Sequence, residues 1–519
     1  MRLNTLLLFA LIMGLVACQQ TPTYETFEEN TAQLRNPELK PFYHHVASGD
    51  PMQDRVILWT RVTPDTKLPE IEVEWEIAAD TEFNSLAGSG TFTTSPERDY
   101  TVKVDAQNLQ PGTQYYYRFK ALDATSPVGK TMTAPKAADE VKFAVVSCSN
   151  YEFGYFNGYG RIADENNLHA VIHLGDYIYE YGPGVYGDTT IGRIHVPDHE
   201  IITLQDYRDR YAQYRLDPDL QAAHANHPFI TVWDDHEISN NSYTTGAQNH
   251  QPEEEGDYET RKAVARQVYY EWLPIRQDET LYRNFSFGEL ADLVMLDGRL
   301  AGRTQPADSV GDPSLNSEDH AMLGNQQVSW LKEQLNSSNA QWKVIGNQVI
   351  FSRLDWGFPG FRVNLDSWDG YPREQKELAG LFRQTEDVVI ITGDTHSAWA
   401  FESVIDTANY NAATGEGAFA VEFGTTSINS GNSNERAPTD SVLAHEKKIV
   451  NTPVNPHLKY ANMRDHGYLL LTLTPEQARA DYKFVPTLKE RTNEVATQQS
   501  MIVQSGEVKL QEVTPNESL

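Results

Sequence analysis

Eight residues of this chain are of types that ligate metals or move protons, and each follows a short apolar run: Cys148, Asp176, Tyr179, Asp235, His236, Asn347, Asp394 and His396. Lys142 to Val146 ends in Ser147-Cys148-Ser149-Asn150, and His169 to Leu174 ends in Gly175-Asp176 with Tyr179 three positions on. Ile230 to Trp233 leads into Asp234-Asp235-His236-Glu237, Trp342 to Gly346 into Asn347-Gln348, and Val388 to Gly393 into Asp394-Thr395-His396. One Gly-Asp after an apolar run is by default a turn, and one cysteine in a strand is by default a small buried hydrophobe. Five such endings in one chain point instead to a shared site. Thiolate, phenolate and imidazole suit a trivalent or borderline transition metal, while carboxylates and amide oxygens suit a hard divalent ion such as calcium or magnesium. A shared carboxylate, for which Asp176 is the candidate, would hold two ions close enough to clamp a phosphoryl group and activate water. His236, beside Asp235, is placed to give a proton to a leaving oxygen.

Convergence of groups so far apart requires a particular scaffold. After Pro135 the short Val- and Ile-rich runs alternate with helical stretches and long loops, the pattern of an α/β layered domain, here 136–490. In open α/β sheets the site lies off the carboxyl ends of the strands. Helices are expected at Tyr258 to Trp272 and Gln326 to Leu335, the latter with Val328, Leu331 and Leu335 on its core face. Loops 183–200 and 238–256 are long enough to wall a substrate site, and Glu253-Glu254-Glu255 reads as solvated surface. Upstream, residues 38–135 are β-rich, with strands at Val56 to Val62, Ile71 to Ile77 and Tyr100 to Val104. The turn and aromatic strand Leu109 to Phe119 resemble the tyrosine-corner region of fibronectin type III sandwiches, so 38–135 is expected to be a small β-sandwich. Residues 491–519 remain as a C-terminal extension. Asp234, Asn150 and Arg299 are placed either behind the ligands or facing substrate, and Asp297, Asp369 and Tyr371 either line the pocket or serve turns and packing.

Composition limits the partners. With 42 basic and 73 acidic side chains among 519 residues, the net charge of −31 repels nucleic acid and anionic lipid. Arg2 followed by the apolar run Leu6 to Val16 has the length of an export signal, not of a membrane span, giving a signal peptide at 1–17. Leu15-Val16-Ala17-Cys18 resembles the lipobox of bacterial lipoproteins, so Cys18 is expected to carry lipid and 18–37 to act as a linker from that anchor. The chain would then be exported across the bacterial inner membrane and face the periplasm or the cell surface. Cys18 and Cys148 are the two cysteines of the chain, and lipidation of the first leaves Cys148 free for ligation.

The ordered set S-C-S-N, G-D-Y-I-Y-E-Y, W-D-D-H-E and G-D-T-H resembles the alkaline phosphatase D (PhoD-type) group of metallophosphoesterases. The likeness extends through His45 to Pro51, Leu58 to Val62, Leu296 to Arg299, Trp368 to Pro372 and His466 to Tyr468. It implies a two-sheet αββα core behind the β-sandwich, with Fe3+ and Ca2+ at the site or, alternatively, a divalent transition-metal pair. It carries iron ligation onto Cys148, Asp176, Tyr179 and His396. Calcium ligation falls on Asp235, Asp394 and the bridging Asp176, with Asn347 a weaker member, and His236 takes the proton-donor position. Hydrolysis of phosphate monoesters is the implied activity, with phosphodiesterase or phospholipase D-type action on diesters and phospholipid head groups as the alternative. A surface binding protein with an inert metal domain is the reading from a different class. Nucleic acid enters only as a substrate of a diesterase, and the residues do not set an oligomeric state.

Overall fold

Short runs of β-branched residues without polar alternation bury both faces only inside a sheet. In the computed structural model, which describes residues 25–515, Ala170–His173 and Val388–Thr392 are buried along their whole length. The parallel strands Val141–Val146, Ala170–His173, Pro228–Thr231 and Val46–Gly49 form the middle of a ten-stranded sheet. Antiparallel strands complete it, from His466–Leu473 through Gln477–Val485 on one side and Arg55–Arg61 and Thr101–Gln107 on the other. A seven-stranded sheet has its own parallel centre of Ala291–Met295, Trp342–Gly346, Val388–Thr392 and Ala420–Gly424.

The two sheets share one core, in which Phe143 meets Phe287 edge to face at 4.8 Å beside Val145, Val344 and Ile391. The other face of the seven-stranded sheet, carrying Val294, Ile345 and Ile390, takes Val328, Leu331 and Leu335 of helix Gly324–Ser337. Against the other face of the ten-stranded sheet lies helix Tyr258–Trp272, whose Trp272 ring is 5.8 Å from Trp59 and whose Tyr269 hydroxyl is 2.9 Å from that of Thr231. That helix starts where the Asp257 carboxylate accepts from the Thr260 N–H, and helix Leu204–Tyr214 starts at a Thr203/Asp206 capping box. Caps of this kind contribute about 1 kcal/mol each.

Three segments depart from the expectations drawn from sequence. The β-rich segment 38–135 does not close on itself: Ile71–Ala78, Leu86–Thr94, Gln114–Ala121, Ala124–Thr125 and Gly129–Met132 form a separate five-stranded sheet, whereas Val46–Gly49, Arg55–Arg61 and Thr101–Gln107 continue the ten-stranded one. The register Ser48↔Pro228 joins them, because Val46–Gly49 has an edge that a strand of the α/β part can pair. Residues 25–37, though mostly exposed, are tied to the fold instead of serving as free linker. Glu29 ion-pairs with Arg61 and Arg35, and the Asn30 amide donates to Asp209 at 2.6 Å; a buried Arg61 needs that countercharge. The C-terminal extension adds strands Ala496–Gln504 and Gln511–Val513 to the edge of the ten-stranded sheet. In the acidic run, Glu253 and Glu254 are exposed but Glu255 turns in to Arg261 at 2.9 Å. Among the described residues no helix is long and apolar enough to cross a membrane. The expected signal peptide, the expected lipid attachment at Cys18 and the expected linker up to residue 24 lie outside the described residues.

The core also fixes an acid limit. Burial drives His173 from 6.5 down to about 3, and burial drives His227 and His457 down to about 4. An unfolded chain takes up those protons near pH 6.5 while the folded chain refuses them. The stabilisation is therefore full above pH 6.5 and is lost as pH falls toward the folded values. Each histidine is expected to remove roughly 2 kcal/mol by pH 5. Urea unfolding between pH 7.5 and 5.0 should show a falling midpoint, and a flat profile would contradict this account.

Candidate metal centre

The parallel strands of both sheets bring their carboxyl ends together, and the chain turns sharply at each. Cys148, Asp176, Asp394 and His396 all adopt left-handed backbone, with φ of 60°, 56°, 62° and 62°. For residues other than glycine this costs roughly 1–2 kcal/mol apiece, a strain that persists where the surroundings overdetermine it. Here they do. The Cys148 N–H donates to the Gly175 carbonyl at 3.1 Å and the Ser149 N–H to the Asp176 carbonyl at 2.8 Å. The Glu237 carboxylate accepts the N–H groups of Asp176 (3.0 Å), Tyr177 (2.6 Å) and Asp234 (2.8 Å), which ties two strand ends to one anchor. Burial pushes the Glu237 carboxyl up to about 8.

Gly175 sits at the tightest of these approaches. Its φ is +107°, and a Cβ there would fall 2.3 Å from the Asp234 Cβ and 2.4 Å from the Asp234 nitrogen. Gly175→Ala is expected to cost about 2–5 kcal/mol, from backbone strain together with overpacking. Urea unfolding checks it; a loss below about 1 kcal/mol, within the range of an unremarkable surface substitution, would contradict the close approach.

Three overlapping groups of ligand atoms gather beyond these turns, the atoms within each group lying within 4.8 Å of one another: Cys148, Asp176 and His396; Asp176, Asp235 and His236; and Asp234, Asp235 and Asp394. Tyr179 joins the first group, with its hydroxyl 3.2 Å from Asp176 Oδ2 and 3.1 Å from His396 Nε2. Since His396 Nδ1 lies 2.7 Å from the Gly431 carbonyl, which can only accept, the proton resides on Nδ1 and Nε2 presents a lone pair toward Tyr179. The overlaps make a continuous row, with Asp176 and Asp235 each serving two groups.

The electrostatics fit a cation. Burial pushes the Cys148 thiol, the Tyr179 phenol and the Asp176 carboxyl well above their ordinary values, and Asp176 raises the first two further. Burial and Asp234 do the same to Asp394. A bound metal reverses this, because it takes only the deprotonated ligand. Asp234 Oδ2 and Asp235 Oδ1 are buried without a hydrogen-bond partner, the latter with only the Arg299 guanidinium at 3.5 Å, an arrangement that costs free energy unless a further cation meets them. The donor set of thiol, phenol, imidazole and carboxylates therefore fits a metal pair.

Around the row, the structure assigns positions that sequence left open. His236 Nδ1 is 2.6 Å from Glu180 Oε2. Burial alone would lower this imidazole, but Glu180, Asp235 and Asp176 outweigh it and hold His236 well above its ordinary value, protonated and with Nε2 uncommitted. Burial raises Asp235, yet Arg299 and His236 together bring it down to about 2. Arg299 is an interior countercharge: it ion-pairs with Asp234, grips both oxygens of Asp366 at 3.0 and 2.8 Å, and lies 3.5 Å from Asp235 and 3.6 Å from Asp394. Asn347 is less free than expected, since Oδ1 accepts from the Trp368 indole at 3.2 Å and Nδ2 donates to the Val349 carbonyl at 2.5 Å. Asn150 caps the Tyr151–Phe153 turn and donates to the Tyr186 carbonyl at 2.8 Å, so it bears on the row only through Tyr186, whose hydroxyl is 3.3 Å from His396 Nδ1. Asp297 caps a turn, Asp369 accepts the Leu354 N–H at 3.0 Å, and Tyr371 donates to the Thr304 carbonyl.

Sequence reasoning gave no role to Glu180, Glu237, Tyr186 or Asp366. Glu180 and Glu237 stand inside the G-D-Y-I-Y-E-Y and W-D-D-H-E motifs, where a carboxylate in an otherwise buried stretch was the available signal; Asp366 and Tyr186 lie in loops that offered none. A groove of about 710 Å3 opens beside the row, lined in part by Asn241, whose N–H donates to Asp235 at 2.5 Å, and by Asp366. Tyr243, Gln248, Val310 and Phe361 also line it.

Residues 143–482 match the family described as PhoD-like phosphatase, and residues 28–135 match the PhoD-like phosphatase N-terminal domain. The chain is 38% identical to alkaline phosphatase D of Bacillus subtilis (strain 168), over 97% of this chain and 87% of that protein. It superposes on a solved structure of PhoD with a TM-score of 0.83 and 37% identity, covering 93% of this chain and 94% of the other.

Proposed function

From the premise that this chain belongs to the PhoD-like phosphatase family and is a hydrolase of phosphoric ester bonds, we propose that it releases phosphate from phosphate monoesters at a mixed two-metal centre. The observation that carries the reading is the double membership of Asp176 and Asp235 in adjoining ligand groups. Cys148, Asp176, Tyr179 and His396 would hold ferric iron, and Asp176, Asp235 and Asp394 would hold calcium, with Asn347 contributing if its amide turns from Trp368. The finer architecture assigned to this function is an αββα core whose ten-stranded sheet also takes strands from 38–135 and from the C-terminal extension. The sequence around Cys18 supports export and lipid anchoring.

When bound, such metals supply Lewis acidity toward phosphoryl oxygens and lower the pKa of water. The chain's own residues do the rest. Asp176 spaces the two halves of the row, and Arg299 offsets the packed carboxylates so that they ionise together. Glu180 pins His236 Nδ1, which leaves the Nε2 proton for the leaving oxygen. The carboxylates of Glu180, Asp235 and Asp176 keep that imidazole charged, against burial, until it is used.

Turnover of a chromogenic monoester and the matching diester by the purified protein, with and without chelator, tests the reading; no chelator-sensitive turnover of either would overturn it. Diester hydrolysis is the second reading, and the groove beside Asp366 favours it, because it leaves room for a second ester substituent. A relative rate on the diester exceeding that on the monoester would select it. Ferric iron on a phenolate predicts visible absorption by charge transfer. Tyr179→Phe should remove that band while calcium content stays, and a colourless wild-type protein with full activity would assign a different metal.

A further inference from the structure

Among the described residues, the largest fully buried side chains include six arginines, Arg61, Arg210, Arg215, Arg261, Arg299 and Arg303. Five have evident partners. Arg61 meets Glu29 and Asp99, Arg261 meets Glu200 and Glu255, Arg299 and Arg303 meet Asp366, and Arg210 donates to the Tyr179 and Val196 carbonyls. Arg215 differs: its Nε, Nη1 and Nη2 all lack a hydrogen-bond partner within the protein. Its guanidinium carbon lies 4.5 Å from the centre of the Trp59 ring. Stacking occupies one face of a guanidinium, but its N–H bonds lie in the plane and need acceptors.

The neighbourhood supplies neutral polar groups and no carboxylate partner. Trp272, whose ring is 5.8 Å from Trp59, has an unpartnered indole N–H, and His44, 5.0 Å from Trp272, has both ring nitrogens unpartnered. Tyr177 connects to the same region: its hydroxyl is 2.9 Å from His224 Nε2, its ring stacks on Tyr211 at 6.0 Å, and burial raises its phenol while the charge of Arg215 and the approach of its guanidinium N–H to the hydroxyl, short of hydrogen-bond geometry, pull it back. The Tyr211 hydroxyl and His224 Nδ1 are again buried and unpartnered. A buried cation among neutral polar groups, with no carboxylate bonded to it, is the inverse of a metal site.

We propose that Arg215 holds a buried monovalent anion of chloride size, between the ten-stranded sheet and the helices Leu204–Tyr214 and Tyr258–Trp272. Water would satisfy the hydrogen bonds but not the charge, and an uncompensated buried guanidinium is strongly unfavourable. Full enclosure restricts the occupant to a small ion. The anion would join Trp59 on the strand Arg55–Arg61 to Arg215, which follows helix Leu204–Tyr214, and so would fasten the N-terminal strands to the helical layer.

Crystals of the full chain soaked in sodium bromide, with diffraction collected at the bromine edge, should show an anomalous peak within hydrogen-bond distance of the Arg215 guanidinium; no peak there overturns the proposal. In solution, replacing potassium glutamate by potassium chloride at constant ionic strength should raise the Tm of the wild type by about 2–4 °C as chloride saturates the site. Arg215→Met should lose that response. An equal chloride response in both proteins, or none in the wild type, counts against the anion. Should Arg215→Met fail to fold, the bromide experiment on the wild-type protein decides alone.

Discussion

Asp176→Asn is expected to lower turnover of phosphate esters by at least about a thousandfold and to strip metal from both halves of the row. The substitution keeps the size of the side chain, and the backbone around residue 176 is fixed by Glu237 from the N–H side and Ser149 from the carbonyl side, so the fold should survive. What is lost is a negative charge that two ligand groups share. A carboxamide offers one neutral oxygen, whereas a carboxylate can place one oxygen on each of two ions. The positioning and Lewis-acid contribution of such metals amounts to several kcal/mol of barrier, and each 1.36 kcal/mol is tenfold in rate. Elemental analysis beside kinetics separates this from unfolding: the variant should bind less of both metals while its circular dichroism is unchanged. Asp394→Asn is the internal comparison, since Asp394 belongs to one group only and its loss should deplete one metal more than the other. A fully metal-loaded Asp176→Asn within tenfold of wild type would remove Asp176 from the bridging position.

Much of this row could be read from sequence because the strands are short, apolar and β-branched, so their ends are marked by the first polar residue. Cys148, Asp176, Asp235, His236, Asp394 and His396 were found that way, and the structure gathers them. Tyr179 was legible only as the residue a turn beyond Asp176. Illegible were the four left-handed turns, because Cys148, Asp394 and His396 carry no local signature for positive φ of the kind glycine gives at 175. Also illegible were the pairs that span loops. Arg299 meets Asp366 across sixty-seven positions, and nothing local to either residue announces the other. The same reason hid the fate of residues 25–37, which are tied to the fold because the buried Arg61 selects Glu29 as its countercharge. The N-terminal strands were recognised as strands, but which sheet they join depends on an edge pairing between Ser48 and Pro228 that local period does not encode.

His236→Asn is expected to reduce kcat by about 10²–10⁴-fold on esters of poorly acidic alcohols, the range for loss of a general acid, with metal content unchanged. The discriminating observation is the dependence on leaving group. A nitrophenolate departs without a proton, so the loss on a nitrophenyl ester should be far smaller than on an alkyl ester. If His236 acted only through metal binding, both substrates would suffer alike. Glu180 sharpens the test. It stands 2.6 Å from His236 Nδ1 and also accepts the Asn240 N–H at 2.7 Å, and His236 draws its carboxyl below the usual range against the opposing push of burial. Glu180→Gln keeps an acceptor in place but removes the charge that keeps the imidazole protonated, and should cost about 10–100-fold, the scale for a partner that orients a functional group without touching substrate. The two substitutions act on one proton and should not be additive. In the double variant the alkyl-ester rate should match that of His236→Asn alone. Full additivity would mean that Glu180 serves the fold through Asn240, with His236 oriented by other means.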